Sequence, residues 1–232
     1  MNQLLRRTFQ SPGPLARPAE VRARFQERTH DLPSQLTSLV GRAEAIAELR
    51  GVLVSTRLLT LTGPGGVGKT RLGLALGEAV APDYEHGVWL VELASVTDHA
   101  LIAPAVAASL GIYEGTGPVL DRLIEILRSR AVLLVLDNCE HLVRSCAELV
   151  DNLLRTCPDV RILATSRELL RIDGESVWRV PPLAVPHHSS SFAQLARVEA
   201  VQLFVERAAA TQPGFRLAEH NAGPVSAICR AL

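Results

Sequence analysis

Residues 63–70 read Gly63-Pro64-Gly65-Gly66-Val67-Gly68-Lys69-Thr70. They follow a short β-rich run, RLLTLTG (57–63), and precede a helical pattern, RLGLALGEAVA (71–81). The stretch matches G-x-x-x-x-G-K-[ST] in the strand–loop–helix setting that the pattern requires. Each residue type has a physical reason. Glycines let backbone N–H groups turn inward around an anion with no Cβ in the way. The following helix points the positive end of its dipole at the same place. Lys69 can bridge phosphate oxygens, and the Thr70 hydroxyl can ligate Mg²⁺. The candidate phosphate-binding set is therefore Gly63, Gly65, Gly66, Val67, Gly68, Lys69, Thr70 and Arg71.

Lys69 is the one lysine in the chain; the other 23 basic residues are arginines. The arginine excess accompanies many Ala, Gly and Pro residues, as a GC-rich coding sequence would produce. Lys69 needs a separate reason. Arginine is a wide planar fork, whereas this loop curls around a compact ammonium on a flexible stem. A single lysine also excludes the guanine-specifying Asn-Lys-x-Asp motif, which needs a second one. It excludes a kinase-type Val-Ala-Ile-Lys strand beside a separate phosphate loop. Adenine nucleotides, ATP or ADP, are left as the better ligands.

The 24 basic residues are balanced by 24 acidic ones. A zero balance argues against a general electrostatic grip on DNA or on an anionic membrane. No apolar run approaches the roughly 18 to 20 residues that span a bilayer, and the N-terminus lacks the apolar region of a signal peptide. A cytoplasmic protein is expected. Cys139, Cys146, Cys157 and Cys229 lack the CxxC spacing of zinc or redox sites, so they read as reduced, mostly buried thiols.

Residues 1–34 hold six arginines in the first 30 positions and little apolar periodicity, which reads as a flexible arm. Beyond it, apolar positions at helical spacing run through AEAIAELRGVLV (43–54). Strands are expected at 57–63, 87–94, 132–137, 160–167 and 175–180. Helices are expected at 71–81, 98–110 with a kink at Pro104, 118–129 and 140–156. This alternation predicts an α/β fold with a parallel five-stranded sheet flanked by helices, spanning 35–186. HHSSS (187–191) reads as a hinge, and 197–211 and 218–231 as two helices of an incomplete helical domain (187–232).

Val132-Leu133-Leu134-Val135-Leu136-Asp137 is an apolar run ending in an acid. Such a strand, buried on both faces, can present Asp137 to Mg²⁺ beside Thr70. Hydrolysis also needs a base to orient water. The residue after Asp137 is Asn138, which is not a base. Glu140 is the nearest acid, with His141 beside it, and either could reach the water if the strand end bends. Glu140 could equally be a first-turn helix acid favoured by the dipole. Arg167 closes the strand VRILATSR (160–167), where a guanidinium can pair with γ-phosphate oxygens. Lys69, Asp137, Glu140 and Arg167 form the candidate catalytic set, with Thr70 and Asp137 as metal ligands.

LVGRAEAIAEL, TGPGGVGKTRL, LLVLDNCEHL and ILATSRE occur in that order. Together they resemble the nucleotide-binding part of STAND-class P-loop ATPases of the NB-ARC type, as found in bacterial LuxR- and SARP-like regulators. The resemblance covers roughly residues 32–232. It implies an ADP-inactive, ATP-active switch, with Arg42 near the base or sugar and Arg167 as a sensor. In the family a Gly-x-Pro segment that packs on adenine follows shortly after such helices, so the chain is read as a truncated form of a longer regulator. The usual Gly-Arg-Glu start is here Gly-Arg-Ala-Glu, and Asn138 replaces a frequent second acid.

Three functions are weighed. The first is an ATP/ADP-binding, slowly hydrolysing signalling switch of a transcriptional regulator, with self-association or other regulator domains as partners. The second is a nucleotide-dependent protein-interaction module without meaningful hydrolysis. The third is a DNA-binding regulator, which would have to bind through the arginine-rich arm because no basic recognition helix is present.

Overall fold

Strands buried on both faces need apolar residues at consecutive positions, and the four central strands of the sheet are such runs. The computed structural model describes residues 30–35, 37–112 and 117–231. Its strands are β1 (His30–Asp31), β2 (Leu58–Thr62), β3 (Val88–Glu92), β4 (Val132–Asp137), β5 (Val160–Ser166) and β6 (Glu175–Arg179). All pair in parallel, in the order β1-β3-β4-β5-β2-β6. The five expected strands, β2 to β6, are present. The two-residue β1 adds an edge beside Val88 and Trp89, within the segment read as an arm. A pairing this short is made by backbone groups alone and leaves no side-chain pattern. The rest of that arm, residues 1–29, lies outside the described residues.

The helices are α1 (Ala43–Ser55), α2 (Lys69–Val80), α3 (Ile102–Ser109), α4 (Val119–Leu127), α5 (Val143–Thr156), α6 (Phe192–Leu195), α7 (Glu199–Thr211) and α8 (Glu219–Ala231). Side chains alternate between the two sheet faces, as a period of two demands. Val132, Leu134 and Leu136 join Trp89, Val91 and Ile162 under α3, α4 and α5. Leu133 and Val135 join Leu59, Leu61 and Leu163 under α1 and α2. A small separate core of Val201, Val225 and Cys229 holds α7 to α8, with Phe204 and Phe215 edge to face at 6.0 Å.

Two local expectations are revised. Pro104 does not kink its helix. Asp98 caps a 3₁₀ turn (His99–Leu101), and α3 starts at Ile102, so Pro104 lies in the first turn, where N–H groups have no intrahelical acceptor. The helix expected from residue 140 begins at Val143, because Asn138 is left-handed (φ 62, ψ 52) and a 3₁₀ turn fills Cys139–His141. The Ser-rich stretch ends in a capping box, in which Ser191 and Gln194 bond reciprocally and start α6.

Two devices position the phosphate loop. Gly73 and Gly77, one turn apart on α2, let that helix sit close on the sheet. A Cβ at Gly73 would lie 3.3 Å from Thr165 Cγ2, and one at Gly77 3.3 Å from Val88 Cγ1. Arg57, just before β2, donates to the carbonyls of Leu154 (2.8 Å) and Val160 (3.3 Å) and to that of Cys157, tying β2 to the C-terminal end of α5.

Candidate functional site

β5 lies between β2 and β4, so the ends of three neighbouring strands converge at one edge of the sheet. The crevice outside the carboxyl ends of parallel strands is where α/β folds bind ligands. The loop from β2 to α2 opens there. Gly66 (φ 80) and Gly68 (φ 95) are left-handed, and a Cβ on either would meet nothing within 4 Å. Backbone conformation, not crowding, requires glycine at these two positions. Lys69 is the first residue of α2 and is 7% exposed. Its Nζ curls back to donate to the carbonyls of Gly63 (2.9 Å) and Pro64 (3.1 Å).

Asp137, at the end of β4, is also 7% exposed. Its Oδ1 accepts from the Thr70 hydroxyl at 2.7 Å and from the Thr165 hydroxyl at 2.5 Å. Thr165 Oγ1 in turn accepts the Asn138 N–H at 3.0 Å. One carboxylate thus joins the chain segments leaving β2, β4 and β5. Sequence reasoning gave Thr165 no role. The available signal was a hydroxyl next to the last residue of a buried strand, where an apolar side chain would be expected.

The left-handed turn at Asn138 swings Glu140 towards Arg167. Arg167 Nε lies 3.1 Å from Glu140 Oε1, with the side chains 63% and 20% exposed respectively. Glu140 Oε2 is buried and has no hydrogen-bond partner among the described residues. The far end of Arg167 reaches over the phosphate loop, its Nη2 3.3 Å from where a Cβ on Gly65 would stand. His141 turns away, with its ring Nε2 2.8 Å from the Val96 carbonyl. Of the two residues considered for orienting water, Glu140 meets Arg167, which reaches over the loop, and His141 does not.

Arg42 and Arg71 are occupied by the protein itself. Arg42, 6% exposed, donates to the carbonyls of Pro181 (2.7 Å) and Val67 (3.4 Å). Arg71 Nη2 donates to Thr37 O (2.8 Å), Thr37 Oγ1 (2.9 Å) and Ser38 O (2.6 Å). The four cysteines are buried and free, as expected. A hydrogen bond with Cys146, together with burial, pushes the Cys139 thiol well above its ordinary range, so it stays neutral beside the site. Among the described residues there is no His/Cys/Asp/Glu cluster of three or more that could hold a metal. No helix among them is long and apolar enough to cross a membrane.

Comparison with known proteins agrees with this arrangement. The fold resembles that of Cdc6p from Pyrobaculum aerophilum, with a TM-score of 0.53 at 20% identity, over 89% of this chain and 57% of that one. An uncharacterized protein of Mycobacterium tuberculosis is 38% identical over 220 residues, which is 94% of this chain and 52% of that protein. A second M. tuberculosis protein, named "Putative HTH-type transcriptional regulator", is 43% identical over 185 residues, 79% of this chain and 20% of that protein. This chain therefore spans about half the length of the first relative and a fifth of the second. A family model described as an AAA domain matches residues 52–172, which include the phosphate loop, Asp137, Glu140 and Arg167. With that match laid over a parallel sheet whose three strand ends meet at the loop, the chain belongs to the AAA domain family of P-loop ATPases.

Proposed function

We propose that this chain is an ATP- and ADP-binding switch module, with slow intrinsic hydrolysis, from a bacterial transcriptional regulator of the STAND class. One observation carries the reading: the Thr70 and Thr165 hydroxyls both donate to Asp137 at the mouth of the phosphate loop. A hydroxyl beside a carboxylate is a hard-oxygen donor pair, which suits a Mg²⁺ ion that keeps most of its waters. In this reading Thr70 is the direct ligand and Asp137 acts through the water shell. Bound Mg²⁺ would neutralise phosphate charge.

The chain's own residues do the rest. Backbone amides of the 63–70 loop, Pro64 excepted, would hold the phosphates. Lys69, now on the neutral carbonyls of Gly63 and Pro64, would hold charged phosphate oxygens, which make stronger acceptors. Arg42 fixes the wall formed by Val67 and Pro181, where the resemblance places the base or sugar. Slow hydrolysis follows from two facts. Asn138 cannot take a proton, and Glu140 is engaged by Arg167. The same ion pair favours the second reading, an interaction module with no meaningful turnover. The nucleotide unit is taken as 35–186 and the helical unit as 187–232. The regulator context is supported by the named relative, of which this chain spans a fifth.

Binding of Mg²⁺-ATP and Mg²⁺-ADP, followed by single-turnover hydrolysis, tests the reading. Lys69→Ala is expected to lose nucleotide binding with circular dichroism unchanged. Unchanged ATP affinity in that variant would sink the site assignment. Binding without turnover would select the interaction module.

A further inference from the structure

Residues 37–42 lie between the phosphate-loop helix and α7, and polar contacts hold them from both sides. From the site side, Arg71 grips the carbonyls of Thr37 and Ser38, one residue beyond Thr70 in the first turn of α2. Gln35 Nε2 returns a bond to the Arg71 carbonyl at 3.2 Å. Arg42 anchors the far end of the segment to Val67, inside the phosphate loop, and to Pro181, just after β6. From the other side, the Ser38 hydroxyl donates to Glu206 of α7. The Glu199 carboxylate, in the first turn of α7, rests on Gly41. A Cβ there would clash with the Glu199 carboxylate, and Gly41 is left-handed at φ 70. Glu199 Oε2 also accepts the Ala184 N–H at 3.0 Å, and Ala184 O accepts the Ala200 N–H at 3.1 Å.

Glu199 and Glu206 are seven residues apart, two helical turns on one face and about 10 Å along the axis. Two contacts so spaced set the direction of α7 and not merely its position. We propose that residues 37–42 are a strap that couples the phosphate loop to the orientation of α7, with Arg71 and Ser38 on the loop side and Glu199 and Glu206 on the helix side. The proposal rests on the nucleotide-binding reading and names how that site is read out. A shift in the first turn of α2 moves Arg71, Arg71 moves Thr37 and Ser38, and the strap turns α7 by its two acidic handles. Such coupling needs a physical element that both ends bias, and the strap is bonded at both ends.

The test is hydrogen exchange of 199–211 in the full chain with Mg²⁺-ADP or a slowly hydrolysed Mg²⁺-ATP analogue. The wild type is expected to differ between the two nucleotides by about fivefold or more in amide protection. The double variant Glu199→Ala/Glu206→Ala is expected to lose that difference while still binding both nucleotides, its ATP-to-ADP affinity ratio changing by no more than the same factor. Retention of the difference in the double variant overturns the strap. So does a wild type that binds both nucleotides with identical protection of 199–211. A wild type that binds neither nucleotide overturns the site reading, and the strap with it. If the double variant loses α7 helicity, Ser38→Ala answers the same question through a single exposed hydroxyl. A reduced difference there supports the strap, and an unchanged one overturns it.

Discussion

Glu140 and Arg167 hold each other across the mouth of the site, at 3.1 Å between Oε1 and Nε. The residue best placed to orient water and the residue best placed to sense a γ-phosphate are therefore one ion pair. Engaging Arg167 elsewhere would release the carboxylate. Because Arg167 is largely exposed, the pair contributes about 1 kcal/mol or less to stability. Glu140→Gln should leave the melting temperature nearly unchanged and lower the slow single-turnover rate by about a hundredfold. A rate equal to wild type would remove Glu140 from the chemistry. Arg167→Ala should narrow the preference for ATP over ADP and leave ADP affinity nearly intact, as read by titration calorimetry.

Lys69→Arg is expected to fail as completely as Lys69→Ala in nucleotide binding. The side chain is 7% exposed and its ammonium fits between two loop carbonyls, where a planar fork has no room. Wild-type affinity in Lys69→Arg would show that charge alone suffices.

Thr165 is fully buried and serves two partners. Thr165→Val keeps the shape but leaves the Asn138 N–H without its acceptor. The expected cost is about 1–3 kcal/mol, seen as a lower midpoint in denaturant. Thr165→Ser should retain most of the stability. Equal losses in both variants would point to packing as the role of this residue.

Two helix glycines should respond with opposite signs. Gly51 in α1 has open space around an added Cβ. Gly51→Ala should stabilise by about 0.5–1 kcal/mol through helix propensity. Gly73→Ala gains the same propensity but drives its Cβ to 3.3 Å from Thr165 Cγ2, a side chain pinned by two hydrogen bonds. Overpacking of this kind costs about 1–3 kcal/mol, so the net change should be destabilising. Thermal melts of the two variants decide it.

The Cys139 and Tyr84 side chains should make the chain less stable in alkali. The hydrogen bond between Cys139 and Cys146 raises the Cys139 thiol and lowers that of Cys146, so it offsets within the pair; burial raises Cys139 further and raises the Tyr84 phenol. Both stay protonated when folded and ionise more readily when unfolded. Their contribution is full below the ordinary values of 9.0 and 10.0, and is lost as pH rises past them. Denaturation midpoints should fall over that range, and a Cys139→Ala/Tyr84→Phe variant should show a shallower fall. The four thiols should react with an alkylating reagent only after unfolding.

Much of this is legible in the sequence alone. The phosphate loop, the acid-ending strand and the alternation of strands with helices are local patterns of residue type and spacing. Local spacing is enough to place Lys69, Thr70 and Asp137 at one sheet edge, because a parallel sheet brings its strand ends together. Tertiary structure decided the rest. It occupied Arg42 and Arg71 with backbone carbonyls, turned His141 away to Val96, paired Glu140 with Arg167 and gave Thr165 its place under Asp137. It also tied Ser38 to Glu206, 168 positions away. Contacts of that kind have no period in the chain. They depend on which polar groups meet once apolar burial has fixed the strand order, and a guanidinium reaches whichever carbonyl that packing puts within its grasp.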